Sequence, residues 1–85
     1  MNCVDMIGFL REGIDEFYRY FEYPIPFEGK DTVLPSKIVV RSWTDQANNR
    51  LVVLKENTRV SIHGHLEVDK KFGTILRVEQ LEVIR

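Results

Sequence analysis

The clearest pattern in the 85-residue chain is an alternation near its C-terminal end. Val60, Ile62, Leu66 and Val68 alternate with Arg59, Ser61, His63, His65 and Glu67, and Gly64 falls in the apolar phase. A period of two over that length predicts a strand with one face toward a core. Asp69-Lys70-Lys71-Phe72-Gly73 then reads as a turn closed by glycine. Residues 74–84, rich in Ile, Leu and Val, form the returning strand. Its phase slips, because Leu76 and Val78 share one face while Leu81 and Val83 share the other. A bulge near Glu79-Gln80 would reconcile the two halves. Residues 58–84 are therefore predicted to be a β-hairpin.

Residues 37–43 predict another strand, centred on Ile38, Val39 and Val40. Thr44 or Asp45 has the chemistry of an N-cap, and Ala47, Leu51 and Leu54 suit a short helix over residues 46–54. Val52 and Val53 weaken that helix, since β-branched side chains crowd the preceding turn. Asn57 stands where the chain must turn and tolerates the left-handed conformation. Toward the N-terminus, Val4, Met6 and Gly8 share one face, with Cys3 and Ile7 opposite. Ile14, Phe17, Tyr18 and Phe21 could share a helix face, but the aromatic density of residues 17–23 favours a strand. Pro24 and Pro26 restrict that strand to an edge or a loop. The order is then β-β-β-short helix-β-β in one domain over residues 1–85. It predicts an all-β protein with one short helix, an OB-fold: a five-stranded, partly open Greek-key β-barrel.

Composition narrows the class without naming a function. Hydrophobic residues at 44% with 29% charged predict a globular chain rather than a disordered one. No apolar run approaches the roughly 20 residues that span a bilayer, and residues 1–10 lack a basic start, so no membrane partner is expected. The single cysteine, Cys3, cannot close an internal disulfide, which points to a reducing cytoplasm. The net charge is -1, yet residues 1–31 carry seven acids against three bases, and residues 36–59 five bases against two acids. A local basic face is thus available on a chain that is neutral overall.

Three blocks, taken together, resemble bacterial single-stranded DNA-binding proteins. The opening Met1-Asn2-Cys3-Val4-Asp5-Met6-Ile7-Gly8-Phe9-Leu10 is similar to their first strand, M-N-x-V-x-L-I-G-x-L. Ile38-Val39-Val40-Arg41-Ser42-Trp43 resembles their third strand, and Ala47, Asn49, Leu54 and Lys55 follow at the family's spacing. Arg59-Val60-Ser61-Ile62-His63-Gly64-His65-Leu66 resembles their V-x-V-x-G-x-L. The final strand, Val78 to Ile84, is also similar to that of primosomal replication protein N, a short, tailless member of the same fold group. The chain departs from the family in several places. Residues 28–36 leave little room for a long basic loop, the tip at Asp69–Gly73 is short, and a tailless variant without the family's acidic tip is expected. Asn57 stands in place of a usual Gly, and His65 in place of a frequent Arg.

The resemblance implies a non-enzymatic protein that binds single-stranded DNA by base stacking and phosphate contacts in replication, recombination or repair. RNA is the alternative nucleic acid, because a stacking platform accepts either. A protein-interaction or assembly module with little or no nucleic-acid binding is the competing function. By alternation Trp43 shares a face with Arg41 and Val39, opposite Ile38, Val40 and Ser42. It also occupies the family's base-stacking position, so it is read either as a stacking face or as core. Arg41, Arg50, Lys55, Arg59, Lys70, Lys71 and Arg77 are candidates for phosphate contact, with Phe72 beside the two lysines. The family pairs through its first strand, which implies a homodimer or tetramer joined at Asn2, Val4, Met6 and Gly8. The aromatics Phe17, Tyr18, Tyr20, Phe21 and Tyr23 exceed what a small core needs and suggest further stacking faces or an interface. His63 and His65 lack a third and fourth ligand and read as an exposed strand face, so neither metal nor cofactor is expected. No phosphate loop, nucleophile elbow or H-E-x-x-H suggests catalysis or a small-molecule substrate.

Overall fold

The computed structural model describes residues 2–26 and 33–85. Five strands and one helical turn follow in the expected order: β1 Val4–Gly13, β2 Tyr18–Pro26, β3 Val33–Ser42, α1 Arg50–Val53, β4 Arg59–Asp69 and β5 Gly73–Val83. The strands close into a barrel in the order β1-β2-β3-β5-β4. Neighbours are antiparallel except β3 and β5, which run parallel. The shortened loop expected over residues 28–36 lies in large part outside the described residues, although β3 already begins at Val33.

Strand β1 closes the barrel because it serves two neighbours. Val4 to Phe9 pair with β4, whereas pairing with β2 begins at Phe9–Glu22. An extra residue between Leu10 and Gly13 bends the strand from one partner to the other. The residues in the inward phase of the strands supply the core: Leu10, Phe21, Val40, Val60, Ile62, Leu76 and Val78 are buried, and Leu51 of α1 joins them. The slip anticipated in the last strand is real. His63 faces Gln80 and Gly64 faces Val78, so Glu79 is the additional residue of a bulge on β5. It lets Leu76 and Val78 before it, and Leu81 and Val83 after it, all turn toward the core. Gly64 lies opposite this bulge. A Cβ there would collide with the carbonyl oxygen of Arg77, so the two backbones approach only because the side chain is missing.

The turns form as their residues dictate. Asp69 Oδ1 accepts from the amides of Lys71 (2.7 Å) and Phe72 (3.1 Å), and Gly73 takes φ +74°. Asp15 Oδ1 likewise accepts from Phe17 and Tyr18 at the β1–β2 turn. Asn57 has φ +72°, as its position required. Pro24 sits beyond the last β1–β2 pair, where β2 has β3 as its neighbour and needs no donor on the other side.

Three expectations require correction. The helix spans only Arg50–Val53 rather than residues 46–54, and its cap is Asn49, whose Oδ1 accepts from Leu51 N at 3.1 Å, not Thr44 or Asp45. One turn suffices because it is held from outside. Arg19, only 2% exposed, sends its guanidinium to the carbonyls of Leu51 (3.0 Å), Val52 (3.2 Å) and Leu54 (2.7 Å). The alternation of β4 does not stay half-buried to its end, because Leu66 and Val68 extend past the pairing with β1 and Val68 is 88% exposed. The aromatics of β2 are not all surplus, since Phe21 is fully buried and Tyr23 packs beside it at 6.1 Å between ring centroids.

Candidate nucleic-acid interface

The outward phase of β3 places Val39, Arg41 and Trp43 on the barrel surface, with Val40 and Ser42 buried beneath. Trp43 follows the strand directly and is 60% exposed, so it is a surface aromatic and not part of the core. Arg41 stands across from Tyr18 of β2 and donates through Nη1 to its hydroxyl at 2.7 Å. The guanidinium also lies 5.4 Å from the ring centre of Phe17 and 5.1 Å from that of Tyr18. Tyr18 in turn meets Phe72 of the β4–β5 turn at 4.9 Å between centroids, and Lys71 Nζ sits 5.2 Å from the Phe72 ring centre. The Tyr18 hydroxyl donates to Asp69 Oδ2 at 2.7 Å. That bond raises the Tyr18 pKa and, with the turn amides, lowers that of Asp69. Two turns and two strands thus meet in one platform of three aromatic rings and two cations.

A second feature runs across the same face. Arg77 of β5 lies beside Arg41 in the parallel pair and across from His65 of β4. Two like charges in register would repel, and Asp45 bridges them, 3.1 Å from Arg41 Nη2 and 3.6 Å from Arg77 Nη2. Arg77 also lies 3.9 Å from Glu67, which binds His65 Nε2 at 2.7 Å. Glu79, the bulge residue, takes His65 Nδ1 at 2.9 Å and lies 3.8 Å from His63, whose Nδ1 meets Asp5 at 2.6 Å. Acidic and basic side chains alternate from β1 to β3. The hydrogen bonds from Glu67 and then Glu79 raise the pKa of His65. Among the described residues no three His, Cys, Asp or Glu side chains are grouped to hold a metal ion.

Of the residues expected to bind, Arg41, Trp43, Lys71, Phe72 and Arg77 lie on this face, and Lys70 is exposed on the same turn. Lys55 and Arg59 lie apart from it. Lys55 belongs to the turn after α1, and Arg59 opens β4 opposite Phe9, six residues from the His65 that faces Arg77. In β1, Val4 and Met6 pack on the core, Gly8 is buried against Glu22 and Phe21, and Asn2 Oδ1 accepts from Leu66 N. What β1 presents outward is Ile7, 51% exposed, and Phe9, 44% exposed. The bridging acids Asp45, Glu67 and Asp69 were missed by sequence reasoning. Asp69 and Glu67 meet their partners across strands, and only the short spacing of Asp45 from Arg41 carried a local signal.

No protein-family model matches the chain, and no curated protein matches it. Solved structures do match. The protein priB from Ralstonia solanacearum superposes with a TM-score of 0.74 at 13% identity, over 99% of both chains. The small single-stranded DNA-binding protein of Streptomyces coelicolor gives 0.69 at 14% identity, over 99% of this chain and 95% of that one. The SSB domain of a Synechococcus sp. protein gives 0.60 at 20% identity, over 96% and 94%. The barrel is an OB-fold. The platform spans β2, β3 and the β1–β2 and β4–β5 turns, which are the surfaces that OB barrels offer to oligonucleotides. No helix among the described residues is long and apolar enough to cross a membrane.

Proposed function

We propose that this OB barrel binds single-stranded DNA in replication, recombination or repair, in the cytoplasm and without catalysing a reaction. The observation that carries the proposal is Trp43, a large aromatic standing free at the end of the strand that carries Arg41. Burial rewards a tryptophan, so an exposed one beside two arginines and an aromatic platform suits stacking against a base. Arg41, Arg77, Lys70 and Lys71 supply the charge that follows phosphates, and the likeness to single-stranded DNA-binding proteins supports the same reading.

The test is a titration with oligo-dT read by the fluorescence of Trp43, the single tryptophan. Quenching is expected, with affinity falling as salt rises. Trp43→Ala, which leaves no tryptophan and is followed by band shift instead, should lower affinity by about 1–3 kcal/mol, the value of one stacked base. An unchanged signal at low salt, with no band shift, would remove the proposal and leave the barrel as a protein-binding module. Competition by oligo-U places RNA beside DNA as a ligand, and its failure confines binding to DNA.

We further propose that two copies pair through β1. Residues 4–8 hydrogen-bond β4 on one edge only, since pairing with β2 starts at Phe9. An unpaired strand edge is a template for another strand. Ile7 and Phe9, rather than the inward Val4 and Met6, give that edge its apolar surface.

A further inference from the structure

We propose that the groove between the end of β3, the approach to α1 and the middle of β5 receives one nucleobase of the bound strand, and that it favours bases bearing a carbonyl oxygen over adenine. This rests on the single-strand reading above.

Strands β3 and β5 run together only from Val40–Leu76 to Ser42–Val78, and a last bond from Trp43 N to Val78 O (2.9 Å) ends the ladder. Beyond it they part and leave a groove of about 350 Å³. Leu51, Val78 and Leu81 line it, the first two buried in the core, and Trp43 forms a wall. That volume is at the small end of ligand sites and suits a planar ring set against the indole. Gln46 and Arg50 stand on the rim, both exposed. Among the described residues neither side chain has a hydrogen-bond or ion-pair partner, whereas the adjacent Asn49 is spent on Leu51 N and Gln46 O. The rim groups are therefore free to meet a ligand.

Charge selects the occupant. Arg50 is the charged residue of this groove and attracts a phosphodiester. A neighbouring groove that shares Leu81 is lined instead by Asp5, His63 and Glu82, and its two carboxylates would repel one. The rim also has more donors than acceptors. Arg50 only donates, and Gln46 offers one donor group and one acceptor. Guanine, thymine and cytosine present such a rim with a carbonyl oxygen that has two lone pairs for the forked donors of Arg50, whereas adenine presents only ring nitrogens with one lone pair each.

The experiment compares the wild-type protein with a Gln46→Ala/Arg50→Ala variant, in which Trp43, Arg41 and Arg77 are intact. Both altered side chains are exposed, so the fold is retained. Affinities for dT and dA oligomers of equal length are measured by Trp43 quenching at two salt concentrations. Because dA strands stack on themselves and bind less well for that reason alone, the readout is the change in the dT:dA affinity ratio. The ratio should fall about five-fold in the variant, the worth of one lost base-edge contact. An equal loss for both oligomers, or an unchanged ratio, overturns the pocket while single-strand binding stands. Absence of quenching by either oligomer removes both.

Discussion

Replacing Arg19 by methionine should unfold the barrel more easily than any surface change of similar size. The guanidinium donates to four carbonyls: those of Leu51, Val52 and Leu54 around α1, and that of Arg11 on β1 through Nε at 3.1 Å. The last carbonyls of a helix have no partner within it, and a helix of one turn has little else to hold it. A thioether side chain would fill much of the volume and satisfy none of them. Leu51 O is in a buried bond and stays dry, which costs about 1–3 kcal/mol, and the three part-buried carbonyls add about 0.5–1 kcal/mol each where water reaches them poorly. Against this, the buried guanidinium is released from a site that opposes its charge, since burial lowers its pKa. A net loss of about 3 kcal/mol is expected, equivalent to roughly 12–24 °C in Tm for a domain of this size. Urea unfolding followed by far-UV circular dichroism measures it. Arg19→Lys should fall between the two, because one ammonium cannot reach α1 and Arg11 together. A loss under about 0.5 kcal/mol for Arg19→Met, the usual range of surface substitutions, would refute this account of how α1 is held.

Two other outcomes test separate parts of the molecule. If β1 forms the edge of a dimer, light scattering should show two copies for the wild type and one for Ile7→Lys, with the monomer still folded; a wild type that is monomeric at high concentration refutes the edge pairing. Raising of the His65 pKa by Glu67 and Glu79 means that its contribution to stability is fully present below about pH 6.5, its ordinary pKa, and is lost as pH rises through the raised value. Protonated His65 also adds charge beside Arg77 and holds Glu67, with Glu79, His63 and Asp5 next along the face, which should tighten DNA binding at pH 6 relative to pH 8 at constant ionic strength; His65→Gln should reduce that difference, and an unaltered difference would refute the role given to His65.

Much of the fold could be read along the chain because strands advertise themselves locally. The period of two in β4 and the slip of phase in β5 were sufficient to place the hairpin and the bulge at Glu79. The same alternation put Trp43 on the face of Arg41, and its exposure then decided between a stacking face and core. What escaped depended on partners distant in sequence. Arg19 sits in an aromatic run and looks like a solubilising charge, yet its carbonyl partners on and after α1 lie 32 to 35 residues away. Its spacing of two from Phe21, and of four from Tyr23, was the one sign that it points inward. The length of α1 escaped for the same reason, since a turn held by Arg19 needs no helical propensity of its own. Leu66 and Val68 keep the apolar phase but outrun β1, and no periodicity reports where a neighbouring strand ends. The acids that tie Arg41 and Arg77 were visible as residues but not as partners, because their pairing is set by register.

Register is also where Gly64 matters most. A slip of two residues is the smallest that keeps each face of a strand on its own side. Such a slip would carry Ile62 or Leu66 to the place where Gly64 now lets the carbonyl of Arg77 come close. Only one alignment therefore allows β4 and β5 to close up. The peptide that Gly64 admits is the one that bears Arg77, whose neighbour across the parallel ladder is Arg41. The spacing of the two cations is metered by an atom that the chain leaves out, and a methyl group added at Gly64 would be felt as a shift of Arg77 against Arg41.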